Sequence, residues 1–517
     1  MKASMFADET QRGRPNILHI LSDQHSPLVA GCYGDQVVAT PHLDRLALSG
    51  VVFDAAYCPS PICVPSRASM LTGRYPVQNR CWNNSHILDS GIPTFAHSLG
   101  AAGYRTCIVG RMHSLGPDQL RGYQERHVGD HSPNFEGAPS PTRGLLVGTA
   151  GPSRVSLSNS GPGQGGYQVH DEEVTAAAVD WLARAGIARR ACPPGSKASP
   201  FLLTVGYMLP HQPFVARREE YERYRGRVPG PSTPAVPETD HPYLAWWRAR
   251  TGIEAVTPAE VDRARTAYWA LVDRMDAMIG QVMRALEESG LAENTLVVYT
   301  TDHGEQAGEH GLWWKQTFHE ASVRVPLIMS WPGVIPGGGR CPRVVSALDV
   351  TATIIDAAGA PALPVSPGRS LLGIVGADSA SVPAPSMPRP EADAWEDVAF
   401  SEFCVEEGWY QRMIRSGPWK LIVHHHHRPQ LFNIHDDPAE LHDRAADPAC
   451  RRILADLQAR VRDGWDPDAI TEEIAGRRSG EALLRQWARV ANPPEQHRWL
   501  ITTAMHWLDV EGDVGQA

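Results

Sequence analysis

Residues 58–74 have the sequence Cys-Pro-Ser-Pro-Ile-Cys-Val-Pro-Ser-Arg-Ala-Ser-Met-Leu-Thr-Gly-Arg. The three prolines predict an extended approach, because proline fixes φ and disfavours helix in the residue before it. Ser66 is the predicted N-cap of a short helix from Arg67 to Thr72, and Gly73 is suited to end that helix. The stretch therefore predicts a turn that leads into a helix.

Cys63 lies just before this predicted helix, where backbone N–H groups and the helix dipole favour anions. Arg67 adds a planar cationic group nearby. Together they predict an anion site with a thiol-derived group directed into it. The alternative is a buried structural cysteine, which single cysteines more often are.

Short apolar runs in the rest of the chain predict buried strands. Helical patterns alternate with them, the longest at 256–289, so the sequence predicts a doubly wound α/β sheet, parallel or mixed. Four runs end in polar residues, at the edge where such sheets bind ligands. These runs are 16–22 before Asp23 and Gln24, 104–110 before Arg111 and His113, 201–207 before His211, and 294–301 before Asp302 and His303.

The polar residues at these strand ends suit a divalent metal ion beside a tetrahedral anion. Oxygen ligands are what Ca²⁺ and Mg²⁺ prefer, and a histidine can add a nitrogen. The candidate ligands are Asp23, Gln24, Asp302 and His303, the cations for the anion are Arg67, Arg111 and Lys315, and the proton carriers are His113 and His211. A thiolate at Cys63 would be soft and repelled by an anionic ester, so an oxygen nucleophile on the metal suits this pocket better.

Composition is that of a globular protein without a nucleic-acid partner. The 517 residues are 42 % hydrophobic and 21 % charged, and the net charge of −10 argues against nucleic-acid binding. Nine scattered cysteines without a CxxC pair predict reduced thiols in an intracellular protein. No secretory signal and no run of 18 apolar residues is visible, so we expect a cytoplasmic protein with no membrane partner.

Length and composition predict more than one domain. The expected division is a catalytic domain at 14–360, a linker at 361–397 that is rich in Pro, Ala and Ser, and a small C-terminal α+β subdomain with a helical tail at 398–517. The Gly-, Pro- and Ser-rich stretch 129–166 predicts a long surface excursion that serves as a lid or an oligomer contact. The histidines at 424–427 are expected to form a solvated run, and a further helix is expected from Gly480.

Over roughly residues 14–465 the chain resembles the type I sulfatases of the alkaline phosphatase superfamily. The most specific match is Cys63-Val64-Pro65-Ser66-Arg67 with Leu71-Thr72-Gly73-Arg74, which is similar to the family signature. The other motifs follow in the family's order. They are Asp23-Gln24, Gly110-Arg111-Met112-His113, Pro210-His211, Asp302-His303-Gly304, Gly308 to Lys315, Gln430 to Asn433, and Asp437 to Leu441.

This resemblance implies an alkaline-phosphatase-like α/β fold, in which helices sandwich a large mixed, mostly parallel sheet and a smaller C-terminal antiparallel sheet packs with a helix. It implies that a maturase oxidises Cys63 to Cα-formylglycine, which joins the metal ligands Asp23, Gln24, Asp302 and His303. Ca²⁺ is the expected ion, with Mg²⁺ and Mn²⁺ as alternatives. The implied reaction is hydrolysis of a small-molecule sulfate monoester by the hydrated aldehyde.

The family's catalytic roles can be carried over one residue at a time. Arg67, Arg111 and Lys315 would stabilise charge on the transferring group. His211, with Lys315, would protonate the leaving alkoxide. His113 would remove the proton whose loss expels sulfate.

Some positions depart from the commonest family pattern. The pair Asp23-Gln24 and the residue His303 are more similar to the bacterial choline sulfatase and phosphonate monoester hydrolase branch. Asn84 falls where that branch has a substrate-contacting asparagine. Arg111 replaces a usual lysine, which keeps the charge and changes the geometry.

Two other functions stay open at this point. One is a phosphonate monoester or phosphodiester hydrolase with the same residues, although His113 favours a sulfatase. The other is an inactive, sulfatase-like binding protein in which Cys63 stays a thiol. The expected partners are the sulfate ester and the maturase, and a homo-oligomer is left open.

Overall fold

The computed structural model describes residues 13–138, 144–193, 198–235, 241–376, 389–390, 392–405 and 408–509. Sixteen strands occur in these ranges. They are β1 (Asn16–Asp23), β2 (Val51–Tyr57), β3 (Arg105–Gly110), β4 (Glu125–His127), β5 (Gly161–Gln164), β6 (Phe201–Pro210), β7 (Val215–Ala216), β8 (Thr295–Thr301), β9 (Arg324–Val325), β10 (Leu327–Ser330), β11 (Gly339–Ser346), β12 (Val398–Val405), β13 (Trp409–Ser416), β14 (Trp419–His424), β15 (Gln430–Asn433) and β16 (Trp507–Leu508).

Thirteen α-helices occur in the same ranges. They are α1 (Pro41–Leu48), α2 (Cys63–Thr72), α3 (Pro76–Asn79), α4 (Phe95–Ala101), α5 (Val155–Ser158), α6 (Gly166–Arg190), α7 (Arg218–Tyr224), α8 (Pro242–Thr251), α9 (Pro258–Glu288), α10 (Glu320–Val323), α11 (Ala347–Ala358), α12 (Arg451–Arg462) and α13 (Pro467–Ala491). None of the described helices is long and apolar enough to cross a membrane.

The central sheet has nine strands in the order β11-β2-β10-β8-β1-β6-β3-β4, with β9 paired to β2. Strands β8, β1, β6, β3 and β4 run parallel, and so do β11 and β2. Strand β10 is antiparallel to both of its neighbours. The sheet is therefore mixed and mostly parallel, as predicted.

Strand β1 lies in the middle of this sheet, where Leu18 pairs with Leu203 on one side and Val297 on the other. Nearly every residue of β1, β6 and β8 is buried. This is the expected pattern for strands that helices cover on both faces. Because β1, β6 and β8 are adjacent and parallel, the polar residues that follow them meet at one edge of the sheet.

Two groups of helices pack on the sheet. Helix α9, which begins with a capping box of Thr257 and Glu260, packs with α6, α7 and α1. Helix α11 packs with α2 and α4. The predicted α/β sandwich is confirmed.

The second sheet, β12-β13-β14-β15, is antiparallel, and α12 packs on β13 and β14. This confirms the predicted small C-terminal sheet with a helix. The predicted linker at 361–397 includes 377–388 and 391, which lie outside the described residues. A third sheet, β16-β5-β7, joins the C-terminal end to the 129–166 stretch, whose residues 139–143 also lie outside the described ranges.

Three local predictions were wrong. Helix α2 begins at Cys63 with Ile62 as N-cap, because Pro65 falls in the first turn, where a proline is tolerated. Helix α13 begins thirteen residues before Gly480, with Asp466 accepting the capping hydrogen bonds. His424 is buried, and its ring centroid lies 3.7 Å from that of His241, so the histidine run is solvated only beyond it.

Candidate active site

Cys63 is at the centre of the polar residues that follow the central strands. Its Sγ lies 3.1 Å from Nε2 of His303, 3.2 Å from Nζ of Lys315 and 3.8 Å from Oδ1 of Asp23. The side chain is 1 % exposed. The structure thus brings together residues that are up to 292 positions apart in the sequence, as the strand-end argument predicted.

The start of α2 is fixed from several sides. Ser66, which does not cap the helix, donates from Oγ to the Asp302 carbonyl at 2.6 Å. Asn84 accepts at Oδ1 from the backbone N–H of Val64 at 2.9 Å. Gly73 ends the helix with φ of 65°, as predicted. These contacts place Cys63 in the first turn, where the free N–H groups of a helix are found.

Four side chains form a cluster with the spacing of a metal site. Ligand atoms of Asp23, Cys63, Asp302 and His303 all lie within 4.8 Å of one another, and all four residues are buried. His303 Nδ1 lies 3.0 Å from the Gly304 carbonyl, which assigns the proton to Nδ1 and leaves Nε2 as the ligand atom. Burial lowers the pKa of His303 to about 4, so the ring is neutral at pH 7. The donor set fits a hard divalent cation.

Gln24, also predicted as a ligand, has φ of 66° and a fully buried side chain. Its Oε1 accepts from Nζ of Lys315 at 2.5 Å, and its Nε2 donates to Oε1 of Gln212 at 2.6 Å. The oxygen predicted to bind the metal, Oε1 of Gln24, therefore accepts a hydrogen bond from Lys315 in this structure.

Arg67 holds the two carboxylates of this cluster. Its Nε donates to Oδ2 of Asp302 at 2.7 Å and its Nη2 to Oδ2 of Asp23 at 3.1 Å. The remaining donors of Arg67 reach the carbonyls of Ser22 and Arg111. Each carboxylate therefore keeps its Oδ1 on the side of Cys63 and His303.

Arg111 connects Asp23 to His113. Its Nε donates to Oδ2 of Asp23 at 2.6 Å, and its Nη2 lies 2.7 Å from Nδ1 of His113. Burial opposes ionisation of Asp23, but neighbouring cations, Arg111 first among them, hold its pKa well below the usual value. The predicted arginine is thus next to the cluster, and its planar group makes contacts that a lysine would not make.

Both candidate proton carriers are neutral. Burial and then Arg111 lower the pKa of His113 well below 6.5. Burial and then Lys315 do the same for His211, whose Nε2 lies 2.8 Å from Nζ of Lys315. Burial raises the pKa of Cys63 to about 11, so its thiol stays protonated at pH 7.

Sequence reasoning missed Asp130 and Gln212. Asp130 accepts from the His113 backbone N–H at 2.7 Å and lies 3.3 Å from Nη1 of Arg111. It falls in the Gly-rich stretch 129–166, where no periodic pattern marks a site residue. Gln212 follows His211 directly, and a single amide in a loop has no sequence pattern that marks its contact with Gln24.

A cavity of about 470 Å³ opens beside His113. Asn84 lies on its wall, and its Oδ1 accepts a hydrogen bond from the backbone N–H of Val64. Most other wall residues are apolar or small. They include Ile87, Leu115, Phe135 and Val147, with Glu136 as the carboxylate.

Comparison with protein families gives two matches. A family model described as Sulfatase matches residues 15–360, and one described as N-sulphoglucosamine sulphohydrolase, C-terminal, matches residues 308–465. Choline-sulfatase of Rhizobium meliloti (strain 1021) is 32 % identical over 492 residues, covering 92 % of this chain and 90 % of that protein. Arylsulfatase K of Homo sapiens is 29 % identical over 448 residues, covering 83 % and 78 %.

Solved structures share the fold. The phosphonate monoester hydrolase of Agrobacterium radiobacter superimposes with a TM-score of 0.69 at 22 % identity, covering 87 % of this chain and 95 % of that one. A 2-O GAG sulfatase, BT1596, gives a TM-score of 0.67 at 21 % identity, covering 90 % and 94 %.

Proposed function

This chain belongs to the sulfatase family and is a sulfuric ester hydrolase, and we propose that its nucleophile is an oxygen of Cα-formylglycine formed from Cys63. The observation behind this proposal is the environment of the thiol. A thiol beside two carboxylates is a poor nucleophile toward an anionic ester, because only the thiolate attacks efficiently and the neighbouring carboxylates disfavour that form. An aldehyde at position 63 supplies a hydrated form in which one hydroxyl attacks sulfur and loss of the other proton expels sulfate.

The carboxylates of Asp23 and Asp302, with His303, would hold a divalent cation, for which we propose Ca²⁺, and Mg²⁺ and Mn²⁺ are the alternatives. Such an ion would acidify the attacking hydroxyl and offset the charge of the sulfate group. The role we propose for Arg67 is to fix both carboxylates, since each of its three nitrogens donates to Asp23, Asp302 or a backbone carbonyl. Gln24 would turn its amide oxygen from Lys315 to complete the ligand set.

Lys315 and His211 are the groups that deliver a proton to the leaving oxygen. The ammonium of Lys315 donates toward the neutral Nε2 of His211, so the pair holds a mobile proton within 3.2 Å of position 63. His113 is neutral and can accept a proton, and Asp130 and Arg111 fix its position. These assignments give separate groups for the two proton transfers of the reaction.

We further propose that the substrate is a small sulfate ester with a compact, partly apolar alcohol. The supporting observation is the cavity beside His113, whose volume of about 470 Å³ is in the range of small-molecule sites. The relatives named choline-sulfatase and arylsulfatase agree with this size class. The nine scattered cysteines, none of them in a CxxC pair, support a cytoplasmic protein that meets a formylglycine-forming maturase there.

The experiment is to express the chain with and without such a maturase, and to measure the mass of the peptide that contains Cys63 together with turnover of 4-nitrophenyl sulfate and choline sulfate. We expect turnover only in the preparation whose peptide has the aldehyde mass. Equal turnover by the thiol form would contradict the proposal. Converted protein that binds sulfate esters without turnover would instead support a binding protein.

A phosphonate monoester hydrolase is the second candidate, and the shared fold with such an enzyme is the reason to test it. His113 favours the sulfatase, because it supplies a base where the resemblance places one. The test compares 4-nitrophenyl sulfate with a 4-nitrophenyl phosphonate ester on the converted protein. A large preference for the phosphonate would reverse the assignment.

A further inference from the structure

Lysine is rare in this chain, since only four of its 48 basic residues are lysines. Two of the four, Lys315 and Lys420, lie in the described ranges, and both are buried. Lys315 belongs to the active site, whereas Lys420 is on β14 of the C-terminal sheet. A buried ammonium such as that of Lys420 needs hydrogen-bond or ion-pair partners, and these partners show which parts of the chain it holds together.

Lys420 contacts the segment that follows Lys315. Its Nζ donates to the Phe318 carbonyl at 2.7 Å and to Oε1 of Glu320 at 2.9 Å, and it forms an ion pair with Glu440. Glu440 in turn accepts from the Glu320 backbone N–H at 2.6 Å. Two carboxylates and one carbonyl from two parts of the chain, 318–320 and Glu440, therefore converge on this one ammonium.

The same network reaches the segment that leads to Cys63. Tyr57, the last residue of β2, lies 3.1 Å from Oε2 of Glu320 through its hydroxyl, and Arg415 donates to that hydroxyl at 2.9 Å. Gln316 also donates from its backbone N–H to the Pro61 carbonyl at 3.0 Å. The segments that contain Lys315 and Cys63 are thus fastened to one another and to β13 and β14.

The Lys315 segment needs such fastening. Both neighbours of Lys315 have left-handed backbone, with φ of 64° at Trp314 and 74° at Gln316. Residues with a Cβ disfavour this conformation, so it persists only where the surroundings hold it. Phe318, whose carbonyl Lys420 binds, is three residues beyond Lys315.

His310, His319 and Glu440 have the spacing of a metal site in the described structure. Glu440 already has a cationic partner in the ammonium of Lys420, which would repel a metal ion bound beside it. The cluster is therefore an ion network that joins the two sheets.

We propose that Lys420 is a positioning residue for catalysis, which acts by holding Phe318, Glu320 and Glu440 so that Lys315 stays against His211 and position 63. This inference rests on the proposed function, in which Lys315 serves the leaving oxygen. A displacement of about 1 Å at such a group can cost 10²-fold in rate. The cost falls on the step that needs the proton, so esters with poor leaving groups suffer most.

The main variant is Lys420→Met, which keeps the length of the side chain and removes its charge. Lys420→Arg is the conservative variant expected to restore part of the activity. Glu440→Gln removes the ion pair and keeps an oxygen acceptor for the Glu320 N–H, and it serves if Lys420→Met does not fold. The matched control is Arg343→Met, which breaks the ion pair between Arg343 and Asp397 at 3.0 Å, away from the Lys315 segment.

The first measurement is kcat for an alkyl sulfate and for 4-nitrophenyl sulfate. We expect Lys420→Met to lower the alkyl-to-aryl ratio by about tenfold or more, with Lys420→Arg recovering part of the ratio and Arg343→Met leaving it unchanged. A merely structural role lowers both rates by the same factor. An unchanged ratio in Lys420→Met and Glu440→Gln would overturn the inference.

The second measurement is independent of turnover. Crystal structures of unconverted wild type and Lys420→Met (or Glu440→Gln) give the distance from Nζ of Lys315 to Sγ of Cys63, which is 3.2 Å here. We expect this distance to lengthen in the variant, and an unchanged Lys315 would overturn the inference. If the converted wild type cleaves neither ester, the proposed function fails and these structures still decide the role of Lys420.

Discussion

Nζ of Lys315 lies 2.8 Å from Nε2 of His211, and the other ring nitrogen of His211 lies 2.6 Å from the Gln212 carbonyl. Because Nδ1 must donate to that carbonyl, Nε2 is the acceptor and Lys315 the donor. The pair therefore holds its mobile proton on the lysine. This arrangement supports the proposed role of Lys315 as the source of the proton that the leaving alkoxide receives.

Lys315→Met tests this assignment directly. We expect kcat for an alkyl sulfate to fall by about 10²- to 10⁴-fold, the usual contribution of a positioned proton donor. The fall should be much smaller for 4-nitrophenyl sulfate, because its leaving group needs little protonation. Similar losses for both esters would show that Lys315 contributes charge alone.

Replacement of Cys63 separates binding from chemistry. Cys63→Ser and Cys63→Ala cannot form the aldehyde by thiol oxidation, so we expect turnover to fall by roughly 10⁴-fold or more. Binding of the sulfate ester, measured by calorimetry, should persist in both variants because the cations remain. The second buried cysteine of the same loop, Cys58, provides the matched control, and Cys58→Ser should keep the aldehyde and most of the activity.

The pH dependence follows from His113. A base must be neutral to act, and burial together with Arg111 lowers the pKa of His113 well below 6.5. The ring stays neutral as pH falls through 6.5, and activity is lost only when pH passes through the lowered pKa. We therefore expect the acidic limb of kcat to lie below pH 6.5.

His113→Gln provides the comparison for that limb. Without the base, the first transfer should still occur and the release of sulfate should stall, so the alcohol appears as a burst of about one equivalent per site. Steady turnover without a burst, or an acidic limb at or above pH 6.5 in the wild type, would contradict the role of His113.

Metal binding is testable through stability. Ca²⁺ at 100 times its dissociation constant stabilises the folded state by about 2.7 kcal/mol, which is read as a rise in Tm. Asp302→Asn should abolish this rise, and chelation should remove both the rise and the activity. Asp130→Asn is the matched control, because it also alters a buried carboxylate that is paired with an arginine. Asp130 is outside the cluster of Asp23, Cys63, Asp302 and His303, so this variant should keep the rise in Tm with Ca²⁺. Loss of the response in Asp130→Asn alone would move the site away from Cys63.

Asn84 has a positioning contact as well as its place on the cavity wall. Asn84→Ala removes the acceptor for the Val64 N–H and should cost about 1 kcal/mol of stability, whereas Asn84→Asp keeps an acceptor. If Asn84 also touches substrate, both variants should raise KM. A change in Tm without a change in KM would assign Asn84 to the helix start only.

Most of the central fold and of the site could be predicted because both depend on short-range patterns. The apolar runs before Asp23, His211 and Asp302 identify buried parallel strands, and parallel strands bring their carboxyl ends together. Fold class and the site residues at these strand ends follow from that geometry. The family resemblance added the order of the motifs and the chemistry of Cys63.

Contacts that depend on three-dimensional packing could not be predicted. Ser66 has the sequence context of a helix cap, but its hydroxyl bonds to Asp302, which is 236 residues away. The involvement of Gln24 with Lys315, and of Asp130 with His113, depends on side-chain directions at strand ends. The sequence marks Lys420 only by the rarity of lysine, and its partners lie in loops or at the start of the four-residue helix α10, where no periodic pattern identifies them.

Strand β12 is synthesised long after the loop before Cys63, although the two are in contact in the folded chain. The backbone N–H of Glu402 donates to the Pro59 carbonyl at 2.9 Å, so a strand made late in translation completes the loop before Cys63. About 340 residues separate the two positions, which at 5–20 residues per second takes roughly 20–70 s. Cys63 is 1 % exposed in the folded chain, but during that interval the loop before it does not yet have its contact with β12. If the proposed maturase acts on the growing chain, it has this interval in which to oxidise Cys63, and we expect faster translation to lower the converted fraction.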